Sequence, residues 1–425
     1  MNILIIRTEG PKIPIDTYNV PEIELAKAFV RAGHQADVVL YGGMDDDRTQ
    51  LVPVNDTGVV IYDEKLLGDD AYVREGDIDT EDPDRFISVY YLSSLKAMGG
   101  CIFFSLGSMV SGYDRLMVRG YDRFTSWLYY SDRKWRDKAV IYQEAYEYGA
   151  NRGYGRKCIF FDKTILKIRN APNTLCFAVS DKAAEFLKSK GFENVHTVGY
   201  GLDTDTLDET IEADEAGAGS GSAGTEFGRA LKKAGADRAG EFFTFLFAGR
   251  LGTESNVKFA LDLADRMLTA HEDVRFVFIG DGDRIYKSEC LSRMRKWMDR
   301  GRITYASSVR MSEIPSVYRM TDCVIHPDIY DPAGRMIYEA VYFGVPVITG
   351  NTAGADILIR NEINGIVPED MTLVSWTNAA EKIYSDVNLR NRLKVALLDD
   401  RDRLKWDNVA ARMLKAMPGK DRKQK

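Results

Sequence analysis

Two periods of apolar positions alternate along the first forty residues. "NILII" (2–6) is a continuous apolar run, "PEIELAKAFVRAGH" (21–34) carries apolar residues at helical spacing with Gly33 as a stop, and "ADVVLYG" (36–42) is a run again. Buried strand, amphipathic helix and buried strand in that order predict a βαβ unit of a parallel sheet. Further strand candidates follow at "GVVIYD" (58–63), "CIFFSL" (101–106), "AVIYQE" (139–144), "TLCFAVS" (174–180) and "NVHTVGYG" (194–201), with helical patterns between several of them. The same grammar restarts after a break with "FFTFLFAGR" (242–250), a helix "VKFALDLADRML", the strand "VRFVFIGDG" (274–282), a helix "KSECLSRMRKWM", then "RITYAS", "DCVIHP" and "GVPVITG" (344–350). Between the halves, "ADEAGAGSGSAGT" (213–225) holds four Gly, four Ala and two Ser, too little apolar area to order itself. The pattern predicts two doubly wound α/β halves, whose strand C-termini and helix N-termini form the edge where such folds bind ligands.

A chain of 425 residues exceeds one ordinary core, which agrees with two domains. With 45% hydrophobic and 28% charged residues and a net charge of -7, the composition is that of a soluble globular protein without an overall pull toward nucleic acid. The five cysteines are scattered, with no CxxC pair, so neither a disulfide framework nor a zinc site is expected. No apolar run approaches the roughly 18 residues of a membrane span, and the expected location is the cytoplasm.

Chemistry concentrates in "DPAGRMIYEAVYFGVPVIT" (331–349). A strand "CVIHP" precedes it, and Pro332 suits the first turn of a helix, because its missing N–H costs nothing there. Asp331 would then stand near the N-cap, with the amides of Ala333, Gly334 and Arg335 as anion donors. If 331–339 were helical throughout, eight steps would leave Asp331 and Glu339 about 80° apart, so both could reach one ligand. Two carboxylates that accept paired hydroxyls, with a diphosphate between them, fit a nucleotide-sugar; the alternative is an Asp cap and a solvent-facing Glu.

Asp331, Pro332, Gly334 and Glu339, followed by "EAVYFGVPVIT", resemble the E-x7-E signature of family 4 retaining glycosyltransferases of the GT-B fold, with Asp in place of the first Glu. The likeness continues in order through "VPEIELAKAFVRAGHQADVV", "VGYGLDTDTL", "FAGRL", "FVFIGDGDR", "ADILIRNEINGIVPED" and "LKWDNVAARMLKAM", sparing about 44–140 and the linker. It implies two Rossmann-like domains facing a central cleft: one over 1–202, with a helix at about 403–418 crossing back to it, a flexible linker over 203–241, and a nucleotide-sugar-binding domain over 242–402. It implies transfer of a hexose, with retention and without a metal, from a nucleotide diphosphate sugar to a glycan or lipid-linked acceptor in cell-surface polysaccharide synthesis. UDP is favoured by family frequency alone.

Carried over position by position, the resemblance makes Arg250 a diphosphate ligand, Asp331 a sugar-hydroxyl acceptor and Glu339 the ribose acceptor. Gly249, Ser255, Asp281, Arg310, Ala333, Gly334, Arg335 and Met336 would line the donor site, with Gly10 facing donor or acceptor from the first domain. Arg250 also has a plain physical case, since a guanidinium after a strand-end glycine can meet phosphate bidentately. Two departures stand out. The family's lysine five residues after that arginine is here Ser255, and the first-domain histidine is replaced by Gln143 and Glu144, which makes Glu144 the catalytic candidate there. The four histidines fall in other segments, so a His-centred base is not expected; a catalytically weak GT-B partner of an active transferase is the second reading. "DTD" (203–205) and "DGD" (281–283) imitate a metal motif but lie inside segments already explained.

Residues 113–138 follow none of this. The stretch repeats GYDR, sets seven basic against four acidic side chains and interleaves Trp127, Trp135 and five other aromatics. It suits an anionic membrane surface or a lipid-linked acceptor, and equally a packed helix with one solvated face.

Overall fold

The computed structural model describes residues 1–417 apart from 9, 11, 14–16, 45–46, 55–85, 98–99, 122–123, 132, 148–158, 160–173, 216–224 and 234–241. It divides into two compact units: unit 1 is Met1–Asp203 with the segment from Lys405 onward, and unit 2 is Thr204–Leu404.

Unit 1 is built on a sheet of nine strands: β1 (Asn2–Ile6), β2 (Gln35–Gly43), β3 (Arg48–Pro53), β4 (Phe86–Ala97), β5 (Gly100–Phe103), β6 (Arg115–Arg119), β7 (Ala139–Gln143), β8 (Cys176–Ala178) and β9 (Val195–Thr197). The order is β3-β4-β2-β1-β6-β7-β8-β9, with β5 on β4; β3 and β5 run antiparallel to β4 and the other pairs are parallel. Pro21 opens the helix Pro21–Arg31 at its first position and Gly33 follows it at φ 81°, a backbone that costs glycine little. The strand candidate at 58–63 lies outside the described residues.

The aromatic stretch 113–138 is strand and core rather than surface. It supplies β6 and two short helices, Phe124–Ser131 and Arg133–Arg136. Tyr121, Tyr129, Tyr130 and Trp135 are buried together with Leu4, Ile6 and Ile141. Their rings face inward because the helices lie against a sheet whose faces must be covered, with Lys134 and Arg136 exposed on the outer side. Among the described residues, no helix is long and apolar enough to cross a membrane.

The chain re-enters unit 1 through a parallel bridge between Leu202 and Lys405, followed by the helix Trp406–Ala416. Trp406 is 2% exposed and donates from its indole N–H to Asn19 at 2.7 Å. It also packs edge-on to Tyr200. A Cβ added at Gly201 would stand 2.2 Å from the indole, so glycine is required where that ring lies on the backbone.

Unit 2 carries five parallel strands: β10 (Phe243–Ala248), β11 (Val274–Ile279), β12 (Ile303–Ala306), β13 (Cys323–His326) and β14 (Val347–Thr349), in the order β12-β11-β10-β13-β14. The winding reverses between β10 and β13, which is the switch point of a doubly wound sheet. Its core is a phenylalanine ladder, Phe245 and Phe276 stacked at 4.8 Å, beneath the fully buried Trp376. The span 203–241 is not a linker throughout. It contains the helices Thr204–Glu215 and Glu226–Lys233, with Leu207 and Phe227 buried and Thr225 accepting from Gly228 N at 2.9 Å. The small-residue composition that predicts a linker is confined to the middle, and single anchors on either side are enough to dock the helices.

Trp406→Ala is expected to destabilise unit 1 by about 3–5 kcal/mol, the usual cost of emptying a large core site. Denaturant unfolding followed by fluorescence measures it.

Candidate functional site

The C-terminal edge of the unit 2 sheet is held together by backbone contacts at its strand ends. Gly249 N donates to Ile279 O at 2.9 Å and Leu251 N to Asp281 O at 2.9 Å. Gly280, at φ 146°, comes so close that a Cβ there would lie 1.8 Å from Gly249 O. Ile329 N donates to Glu254 O at 2.9 Å and Ala248 N to the Met336 sulfur at 3.0 Å. The loop after β10 and the loop after β13 are therefore one surface.

His326 ends β13 and is 2% exposed. Its Nδ1 lies 3.1 Å from the Thr349 hydroxyl, and that hydroxyl donates to Gly350 O at 3.1 Å. Nε2, 2.9 Å from an Asp331 carboxylate oxygen, donates to it, since an ionised carboxylate only accepts. A second proton, on Nδ1, would make the ring an imidazolium. Burial opposes that charge, but Asp328 and Asp331 outweigh it and hold the His326 pKa above the ordinary value. The Asp331 carboxyl is likewise disfavoured by burial, yet the His326 ring and the amides of Gly334 and Ala333 keep it below the usual range. Asp328 is 3.6 Å from the ring, and burial, with Asp331 adding to it against the pull of His326, raises it to about 6. These three are the described residues whose ligand atoms could surround a metal ion. In this arrangement Nε2 is spent on Asp331, and the two carboxylates flank the ring as its counter-charges.

The stretch 331–339 is not helical throughout. Helix Arg335–Phe343 begins four residues after Asp331, with Gly334 left-handed at φ 67° before it. The reason is that one Asp331 oxygen accepts from Ala333 N (3.1 Å) and Gly334 N (2.8 Å), closing an Asx-type turn that a helix cannot contain. The amides of Ala333 and Gly334 are thus spent on Asp331 instead of being offered to an anion, and both Asp331 oxygens are engaged. Gly334 is tight for a second reason: its Cβ would meet Gly354 at 3.0 Å. Glu339 projects from the helix with one oxygen accepting from the Tyr318 hydroxyl at 2.9 Å. Burial outweighs Tyr318 and Arg335 and raises its pKa.

Ser255 is 6% exposed, and its hydroxyl donates to Arg250 O, closing the 250–255 loop. It pins the loop instead of facing a ligand. Lys258 does not replace the lysine, because its Nζ is 2.6 Å from Glu289 and lies over the Tyr286 ring. Gly249 and Arg250 are exposed at the end of β10. Asp281, exposed, pairs with Lys287 at 2.8 Å. The Arg310 amide donates to Glu313 at 2.8 Å as a cap.

In unit 1, Glu144 is paired to Arg119, which also donates to Glu22 at 2.5 Å; Arg7 reaches Glu22 at 3.2 Å. Gly10, at φ 100°, lies by Arg7, whose guanidinium would be 3.5 Å from a Cβ there. Gln143 is structural, accepting from Tyr121 N and donating to Ala145 O, each at 2.6 Å. Full burial opposes the Glu22 charge, but Arg119 and Arg7 bring its pKa down to about 2.

His326 and Tyr318 are the site residues that sequence reasoning missed. The signal for His326 was a histidine at a strand end five residues before Asp331; nothing local marked Tyr318.

Because the folded pKa of Glu22 lies below its ordinary 4.5, the stabilisation it gives is present at neutral pH and lost as pH falls from about 5 toward 2. Glu22→Gln is expected to abolish that slope and, by removing the carboxylate that Arg7 and Arg119 share, to cost about 3 kcal/mol at pH 7. Urea midpoints at pH 7, 5 and 3 check both.

Residues 229–396 match the family model described as Glycosyl transferases group 1. An uncharacterized glycosyltransferase of Methanocaldococcus jannaschii is 26% identical over 169 residues, 39% of this chain and 42% of that protein. The alpha-D-kanosaminyltransferase of Streptomyces kanamyceticus is 28% identical over 148 residues, 35% of this chain and 38% of that protein. The chain thus spans less than half the length of these curated relatives. Among solved structures, Anabaena HepE in complex with UDP and glucose superposes with a TM-score of 0.63 at 16% identity, covering 98% of each chain. Sucrose-phosphate synthase from Thermosynechococcus elongatus gives 0.63 at 12% identity, again over 98% of each. The chain has the GT-B fold of these structures, built of two Rossmann-like units, and within it the segment 229–396 resembles the group 1 glycosyl transferases.

Proposed function

We propose that the chain is a nucleotide-sugar glycosyltransferase whose donor binds at the C-terminal edge of unit 2. The observation that carries this is Glu339: a carboxylate on the first turns of the helix Arg335–Phe343, given one hydrogen bond by Tyr318 among the described residues and so retaining acceptor capacity for a pair of ribose hydroxyls. Arg250 stands exposed at the end of β10, beside a helix N-terminus whose first-turn amides have no intrahelical partners. A diphosphate fits between guanidinium and helix, ribose to Glu339. Asp331 then acts through the loop it shapes, and the sugar lies beyond Gly334. The segment match at 229–396 and the UDP and glucose in the Anabaena HepE structure support the same assignment.

In this reading a hexose moves with retention and without a metal. The leaving phosphate takes the acceptor's proton, and the protein stabilises the charge that develops on the diphosphate. UDP is the favoured donor nucleotide, the acceptor a glycan or lipid-linked glycan, the setting cytoplasmic and without nucleic acid. Tyr121, Tyr129, Tyr130 and Trp135 belong to the core, so a peripheral membrane contact of 113–138 would not draw on those four rings. A second reading, a catalytically weak partner of an active transferase, draws on Ser255 in the lysine's place and on Lys258, which is turned to Glu289.

Glu339→Ala is expected to weaken UDP binding by about ten- to a hundredfold, the loss of a bidentate charged contact. Calorimetry against UDP, GDP, ADP and CMP, with and without EDTA, reads it, and unchanged affinity sinks the clamp. Binding of one diphosphate followed by slow release of sugar favours the transferase. Absence of nucleotide binding favours the partner.

A further inference from the structure

At the opposite edge of the unit 2 sheet, where β13 and β14 begin, lies a cavity of about 330 Å³, within the range of small-molecule sites. Parallel α/β sheets place ligands at the other edge, so this space has no part in the donor site. One wall is aromatic: Tyr318 and Phe343 stack at 4.8 Å with planes 8° apart. The rest is basic. Arg319, Arg390 and Lys394 line the cavity against a single carboxylate, Asp322, a formal balance of 3 − 1 = +2. That carboxylate is already engaged, accepting from Thr244 N at 2.8 Å. Arg390 is fixed in place, donating at 2.6 Å to the carbonyls of Ile383 and Tyr384. Lys394 is exposed one turn further along the helix Val387–Asp399. Gly344 keeps the helix end tight, since a Cβ there would meet Leu398 at 2.9 Å.

A cavity with a net positive lining and a stacked aromatic pair in one wall suits a compact anion with an organic part small enough to lie against that pair. We propose that this cavity is a second ligand site, taking a small phosphate-bearing molecule with its phosphate toward Arg319 and Lys394. Tyr318 joins it to the chemistry. The ring that forms the cavity wall carries the hydroxyl that holds Glu339, so an occupant touches the side chain that positions the proposed ribose acceptor. This coupling rests on the donor reading; the site itself does not.

Phenyl phosphate, inorganic phosphate and phenol are titrated calorimetrically into the full chain, without and with saturating UDP. Saturable binding of phosphate compounds but not phenol is expected, persisting with UDP present. Lys394→Gln and Arg319→Gln, with unchanged melting temperature, should each weaken it about tenfold. Tighter binding of the ester identifies an ester ligand, and equal binding identifies the free ion; either supports the site. No saturable binding, displacement by UDP, or full affinity in both variants overturns it. Because the two variants decide irrespective of UDP, failure of this site and failure of the donor assignment are distinguishable.

Discussion

The buried ion pair between His326 and Asp331 organises the site. The His326 imidazole at the end of β13 fixes one oxygen of Asp331, and the other oxygen gathers the amides of Ala333 and Gly334. That turn decides where the helix Arg335–Phe343 starts, and hence where Glu339 points. A buried charge pair is a weak source of net stability; here its value is register. Thr349 ties the pair to β14, so two strands and a loop share one hydrogen-bonded chain, and the loop geometry belongs to the sheet rather than to the loop.

A similar logic governs the end of β10. The Ser255 hydroxyl holds the Arg250 carbonyl, the near-contact of Gly249 with Gly280 holds the loop to β11, and the Arg250 guanidinium is left exposed. Rigid backbone and exposed charge at one place are what a phosphate contact needs. Unit 1 solves its own strand-end problem differently, with charges neutralising one another: Arg7 and Arg119 are balanced by Glu22 and Glu144.

What was legible in the sequence follows from burial. β10, β11 and β13 are covered on both faces, so they read as unbroken apolar runs. β4 was not recognised although Ile87, Val89 and Tyr91 alternate inward, since an antiparallel edge region has the weaker period-two signal. β6 hid inside a charged stretch, where "RLMVR" gives only three apolar positions between two arginines. Asp331 and Glu339 were legible as a pair of carboxylates, but not their different hydrogen-bond partners. Those of Asp331 depend on His326 and Thr349, brought together by the pairing of β13 with β14, and pairing is a property of the fold. The missing lysine at 255 was plain; that the serine there would close the loop was not.

Unit 1 is discontinuous, and this bears on biosynthesis. Unit 2 lies wholly within the interval between Asp203 and Lys405, so a ribosome finishes it before Trp406 emerges. Domains ordinarily fold in the order in which they are made. Here the earlier one must wait, with Asn19, Tyr200 and Gly201 uncovered, until the later one is complete. The nascent chain therefore carries an unfinished apolar surface through the synthesis of some two hundred residues, and the indole of Trp406 is the piece that ends that exposure.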